Sequence, residues 1–290
     1  MKILALDSSG LVASVAVVEN DTLLAEYTVN YKKTHSQTLL PMLDEISNMT
    51  ELDLSTIDAI AVAGGPGSFT GLRIGSATAK GLGLALEKPL ISIPTTAAIA
   101  YNIWDTNKFV CPIMDARRNQ VYTGVYCYTD HRLDTVWEQD TMSIEALAEG
   151  LNCLDHEVIF LGDGVAVYRE KLEALLTIPF SFAPAHVNRQ RAAAVGALAE
   201  VYYKEGKIQT AEEHEPEYLR KSQAERERAA KEKNAAPEIR RMVMEDGAAI
   251  AELEYSLFRD AWSEKSILET LKQPNAICLI AEKEIGRAHV

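Results

Sequence analysis

The chain has 290 residues, enough for two domains with buried cores. Its 29 Lys and Arg stand against 42 Asp and Glu, a formal charge of −13, which argues against a protein that grips a nucleic-acid backbone with its own clustered cations. Hydrophobic residues make up 47%, an ordinary globular share, and no apolar run reaches membrane-spanning length.

Residues 2–29 alternate short apolar runs with turns at Ser8-Ser9-Gly10 and Asn20-Asp21, which predicts three antiparallel strands. Residues 35–49 place Leu39, Leu43 and Ile46 on one helical stripe. A buried strand over 57–65 then runs into a glycine loop, and 70–86 is predicted as the next helix. PLISIP gives a further strand and Thr95 starts another helix. From residue 109 a looser copy of the pattern follows, with two strands around the Arg117–Gln120 turn and a third strand in HRLDTVWEQDTM. A helix in IEALAEGL, a strand in EVIFLGDG and a strong helix over 189–206 complete it. The expectation is an α/β protein of two sheet-bearing lobes, about 1–105 and 106–220.

Residues 221–237 are densely charged and read as a linker ended by Pro237. Beyond them the pattern resumes as strand, helix, helix, strand, in a stretch short enough to be marginal for a core of its own. The cysteines (Cys111, Cys127, Cys153, Cys278) are far apart, which argues against zinc or a disulfide framework and suits a reducing cytoplasm.

Two places carry candidate chemistry. In GGPGSFTGLRIGSATAKGLGLAL (64–86) a glycine loop opens a helix, so backbone N–H groups and the helix dipole favour an anion there. Gly65, Gly67 and Ser68 would touch phosphate; the alternative is a structural turn with Ser68 or Thr70 as helix cap. The loop is neither a Walker sequence, since Lys80 lies deep in the helix, nor a Rossmann fingerprint. Farther along, Gly71, Gly75, Ala79 and Gly83 leave one helix face nearly bare. A helix-interior glycine costs about 1 kcal/mol relative to alanine. Close approach of another helix, from the same chain or a partner, is the expected compensation. The second place is LALDSSG, where Asp7, Ser8 and Ser9 end a strand, either as a phosphate or magnesium site or as an Asx-type turn.

Together ALDSSG, the long glycine segment, MDARRNQVY (114–122), LGDG (161–164) and PEYLR (216–220) resemble the TsaB family over residues 1–220. That resemblance implies the two-lobed ASKHA fold of actin and Hsp70. It also implies a non-catalytic subunit that pairs with TsaD, with TsaE joining, in making the tRNA modification threonylcarbamoyladenosine. The metal-binding histidine pair of TsaD has no counterpart: Ile91–Asn102 offers Thr95 or Thr96 and Ile99 instead, and no two of the six histidines stand at i, i+3 or i+4. His35, at a helix start, is expected to cap or lie on the surface. No catalytic and no metal residue is assigned. On this reading Leu39, Leu43, Ile46, Gly71, Gly75, Ala79 and Gly83 form the TsaD docking face, which makes a homodimer without TsaD. ATP or ADP is expected only at the partner boundary, and tRNA contacts fall to TsaD. The competing reading is an autonomous ASKHA-type ATPase or small-molecule kinase using Asp7 and the glycine loop.

Residues 238–284 are similar to the start of RimI-type N-terminal acetyltransferases of the GNAT fold, without the later loop that holds acetyl-CoA. The segment 238–290 is therefore expected to be a truncated GNAT-like piece that needs the complete domain to use acetyl-CoA. Ile285-Gly-Arg-Ala-His-Val290 breaks the pattern and is expected to be foreign to a natural protein that continues into that domain.

Overall fold

The computed structural model describes residues 1–31, 34–220, 238–258 and 260–282. The predicted linker (221–237) and the hexapeptide after residue 284 lie outside the described residues. The chain divides into two compact units after Arg220.

The first unit contains two lobes built on one plan. Lobe I runs β1 (Lys2–Asp7), β2 (Val12–Glu19), β3 (Thr22–Asn30), α1 (His35–Thr50), β4 (Ala59–Gly65), α2 (Phe69–Leu86), β5 (Leu90–Pro94) and α3 (Thr95–Ala100). Lobe II repeats the order with β6 (Phe109–Arg117), β7 (Gln120–Thr129), β8 (Arg132–Ser143), α4 (Ile144–Leu154), β9 (Val158–Leu161), α5 (Gly164–Leu175), β10 (Phe180–Phe182) and α6 (Ala192–Lys204). The sheets are ordered β3-β2-β1-β4-β5 and β8-β7-β6-β9-β10, the same sequence of neighbours in each. This doubled mixed sheet is the two-lobed ASKHA architecture. The sequence reading passed over α5 and β10. Val165, Tyr168 and Leu172 at i, i+3 and i+7 are the stripe that marks α5, and all three are buried.

The burial pattern follows from strand direction. β1 and β4 pair in parallel, Ile3 with Ala59 through Leu6 with Val62, and their nearly unbroken apolar runs are covered on both faces. On one face α1 sets Leu39, Met42, Leu43 and Ile46 into a core with Leu4, Leu6, Val15, Val17, Ile60 and Val62. On the other, α3 and α6 join Ile3, Ala5 and Ile91 of lobe I to Val110, Met114, Tyr126 and Leu161 of lobe II, so one core serves both lobes. A third core lies under α4 and α5, around Phe160, Val121 and Leu147. The sheet edges of lobe I differ. β3 exposes Leu23, Leu24 and Tyr27, whereas β5 begins at a bridge in which Leu90 and Gln209 exchange both backbone hydrogen bonds.

In the second unit Glu238–Arg241 and Leu279–Glu282 pair antiparallel, with helices Gly247–Leu257 and Glu264–Leu271 between them. Its apolar core among the described residues is Met242, Ala251 and Ile267, while Leu253, Tyr255, Leu257, Phe258 and Trp262 are exposed. Among the described residues no helix is long and apolar enough to cross a membrane.

Candidate functional site: the glycine loop and the cleft between lobes

The strand β1 ends in a turn that brings the first candidate residues together. Ser9 donates both its backbone N–H (2.9 Å) and its hydroxyl (2.7 Å) to Asp7 Oδ1, an Asx turn. Ser8 donates its hydroxyl to the Gly71 carbonyl at 2.8 Å. All three residues are buried, and Asp7 Oδ2 has no hydrogen-bond partner. Burial pushes the Asp7 carboxyl up to about 6, against the opposing pull of the Ser9 hydrogen bonds and the charge of His35. His35 is the first residue of α1 and does not cap it. Its Nε2 donates to the Gly10 carbonyl at 2.9 Å, bracing the turn, while its Nδ1 is buried without a partner. The amide of Gln190, also buried and unpartnered, packs against Gly10.

The glycine loop closes onto the same turn. Gly65, at φ +127°, and Gly67 hold backbone where a side chain cannot go: a Cβ at Gly67 would lie 2.3 Å from the Ser9 carbonyl. Three N–H groups of the loop and the first turn of α2 are engaged. Gly65 donates to Thr95 Oγ1 (3.2 Å), Ser68 to the Ser9 carbonyl (2.6 Å), and Gly71 to the Ser68 hydroxyl (3.4 Å), which makes Ser68 the N-cap of α2. An anion would have to compete with each of these bonds.

The small-residue stripe of α2 has its explanation inside the chain. A Cβ at Gly71 would sit 2.1 Å from the Ser8 carbonyl, and one at Gly75 would sit 2.5 Å from the Ser8 hydroxyl. Gly83 faces Leu90, and Ala79 lies in the core with Leu39, Leu43 and Ile46. Leu39, Leu43, Ile46, Gly71, Gly75, Ala79 and Gly83, expected to form the docking face, are all buried within the chain, facing the sheet and the β1–β2 turn. The periodicity identified the bare stripe, but the close approach is made by a turn, not by a second helix. Outward-facing positions are others, with Leu40, Met49 and Leu84 exposed and open space over Gly81.

Residues 216–220 lie across the loop, and the sequence reading gave them no role. Glu217 donates its backbone N–H to the Gly64 carbonyl at 2.7 Å, and its own carbonyl would lie 2.2 Å from a Cβ on Gly65. Gln139 of lobe II donates through Nε2 to Glu217 Oε2 (2.6 Å) and to the Gly65 carbonyl (3.3 Å). Its Oε1 accepts from Thr96, which also shares a 2.7 Å hydrogen bond with Tyr126. Thr95 and Thr96 thus serve the glycine loop and Gln139, and Ile99 is core. Tyr218 packs on Phe69 with ring centroids 4.8 Å apart and accepts from Arg73 Nε. Arg220 donates to the Ala116 carbonyl of lobe II at 2.6 Å.

Lobe II repeats the first turn in altered form. Arg117 donates its backbone N–H to Asp115 Oδ1 at 2.8 Å, the same Asx geometry as Ser9 to Asp7. Asp163 of LGDG is buried enough that its carboxyl is raised above the usual range, chiefly by desolvation. Among the described residues no group of three or more His, Cys, Asp or Glu is placed to hold a metal ion.

Comparison with known proteins adds independent information. Residues 22–228 match the family model of TsaD, the tRNA N6-adenosine threonylcarbamoyltransferase. The tRNA threonylcarbamoyladenosine biosynthesis protein TsaB of Bacillus subtilis is 32% identical over 225 residues, spanning 78% of this chain and 96% of that one. TsaB of Escherichia coli is 30% identical over 240 residues, spanning 80% and 100%. Among solved structures, YeaZ from Pseudomonas aeruginosa superposes with a TM-score of 0.66 at 28% identity, covering 75% of this chain and 99% of its own.

Proposed function

The chain belongs to the TsaB family of tRNA threonylcarbamoyladenosine biosynthesis proteins, and from that premise we propose that residues 1–220 act as a non-catalytic subunit that docks TsaD. The observation that carries the non-catalytic reading is the state of the glycine loop, which lies under Glu217 and whose Gly65 and Ser68 N–H groups already bond Thr95 and Ser9. A loop committed in this way favours an architectural role over the autonomous ATPase or kinase. The docking surface is the outward side of α1 and α2, where Leu40, Met49 and Leu84 are exposed and Gly81 leaves room for a neighbouring backbone. TsaE joins that pair, a homodimer covers the same face when TsaD is missing, and ATP or ADP binds at the boundary between subunits. tRNA, in the cytoplasm, is contacted by TsaD, in keeping with this chain's charge of −13.

The same proposal assigns the second unit to the opening of an N-terminal acetyltransferase domain. Its support is the order strand, helix, helix, strand and a core with much exposed apolar surface. Acetyl-CoA belongs to the complete domain only.

Reconstitution with TsaD and TsaE tests the subunit reading. Co-purification and tRNA modification that depends on adding this chain are expected. Leu40→Asp with Leu84→Asp is expected to abolish both while leaving the thermal midpoint of the chain in place. Modification that proceeds at full rate without this chain, or ATP turnover by the chain alone, would return the kinase reading to first place.

A further inference from the structure

The segment Pro216–Arg220 does more than pass over the glycine loop. Its contacts alternate between lobes: Glu217 N–H to Gly64 and the Tyr218 ring to Phe69 in lobe I, Glu217 carboxylate to Gln139 and Arg220 to the Ala116 carbonyl in lobe II. Gln139 reaches both the segment and the Gly65 carbonyl, so the lobe II strand β8, the loop and the segment form one connected hydrogen-bonded set. Glycine at position 65 is what lets the Glu217 carbonyl come so near. This is a fitted groove: a bare backbone floor, an aromatic wall with an arginine held over it at 4.1 Å, an amide from the opposite lobe and a carbonyl acceptor at the far end.

We propose that this cleft is a peptide-binding groove whose ligand is the chain's own Pro-Glu-Tyr-Leu-Arg segment, a strap that ties lobe I to lobe II across the glycine loop. Glu217 and Tyr218 remain partly accessible to solvent, so the strap is held by a few directed contacts and not by deep burial. Such contacts break and re-form without unfolding the cores, which gives the strap two states, seated and released. Seated, it fixes the separation of Gly64–Gly71 from Met114–Arg117. Released, it leaves the two lobes joined through the shared core under α3 and α6 and the hydrogen bonds of Gln139 to Gly65 and Thr96. Because the strap ends where the first unit ends, tension on the following residues would act on it directly.

Hydrogen exchange on the full chain tests this. In the Tyr218→Ala/Arg220→Ala variant, exchange is expected to rise together at 64–71 and at 114–118, by about tenfold, the combined effect of losing a stacked ring and a directed hydrogen bond. Addition of the free peptide HEPEYLRK, residues 214–221, is expected to restore slow exchange at both places. Arg220→Ala alone, which removes only the lobe II anchor, serves where the double variant does not fold, and still raises exchange at 64–71. Faster exchange confined to 216–220 would overturn the proposal, leaving the segment a passive tail. So would a variant whose two lobes respond but do not recover with peptide.

Discussion

The two lobes place the same device under different cover. In each, the first strand ends in an aspartate that accepts the backbone N–H two residues on, Ser9 to Asp7 and Arg117 to Asp115. In each, the helix after the fourth strand carries a glycine in its first turn that packs on backbone of the first strand or the turn after it, Gly71 over the Ser8 carbonyl and Gly164 over the Ile113 carbonyl. Lobe I then buries Ser8 and Ser9 of its turn, whereas lobe II leaves Arg117, Arg118 and Asn119 in water, all three at φ near +60°. The difference lies in the helix that covers the turn. α2 presents Gly71 and Gly75 one turn apart and so lies flat on Ser8, while α5 offers Gly164 and then Tyr168, whose hydroxyl reaches Asp115 and props the hairpin up. A shared topology does not fix whether a turn becomes core or surface; a few small residues on one helix do.

The largest test breaks lobe I's cover. Gly71→Leu places a side chain 2.1 Å from the Ser8 carbonyl, and a loss of about 4 kcal/mol or more in urea unfolding is expected, in the range of severe overpacking and backbone strain. Gly75→Leu is expected to damage the monomer as well, because Ser8 lies beneath it. Gly81→Ala, on the open side of the same helix, is the contrast: nothing stands within 4 Å, and a gain of about 1 kcal/mol is expected from helix propensity.

A smaller effect separates the aspartates by pH. The Asp7 carboxyl is raised by burial to about 6 in the folded chain, so its protonated form favours folding. That contribution is fully present below about 3.8 and is lost as pH rises through about 6, so ionised Asp7 is a cost at neutral pH. Asp7→Asn keeps the acceptor for Ser9 and is expected to flatten this dependence, raising stability at pH 7.5 relative to pH 5 by about 1 kcal/mol. Urea midpoints at the two pH values read it directly; an unchanged slope would place the charge elsewhere. Smallest is Arg118→Gly, which relieves a left-handed residue in lobe II's exposed hairpin and is expected to add about 0.5–1 kcal/mol.

Sequence periodicity reached most of the architecture because the inner strands of lobe I are continuous apolar runs and α1, α2 and α6 carry clear stripes. It missed α5, whose stripe of Val165, Tyr168 and Leu172 went unread, and β10, three residues long, which offers too little pattern to register. The Asp7–Ser9 turn was legible as an Asx motif from residue types alone. The covering of the glycine loop was not: Gln139 sits in an unremarkable strand, and nothing local in Pro216–Arg220 says that its partners lie 78 to 153 residues away, since those partners are a product of the lobes meeting. The stripe on α2 was read correctly as a demand for close approach, but sequence alone cannot say whether a turn or a helix meets that demand.

The unequal edges of the lobe I sheet bear on how the protein behaves when crowded. β5 follows Pro89 and ends in Pro94, which have no N–H to offer, and its entry is already taken by Gln209. β3 has a free side among the described residues and shows Leu23, Leu24 and Tyr27 to solvent. Within the lobe I sheet, strand-to-strand stacking between molecules is thus channelled to one margin. A lysine at Leu23 or Leu24 would guard that margin without touching the cleft, a practical route to concentrated samples that stay in solution.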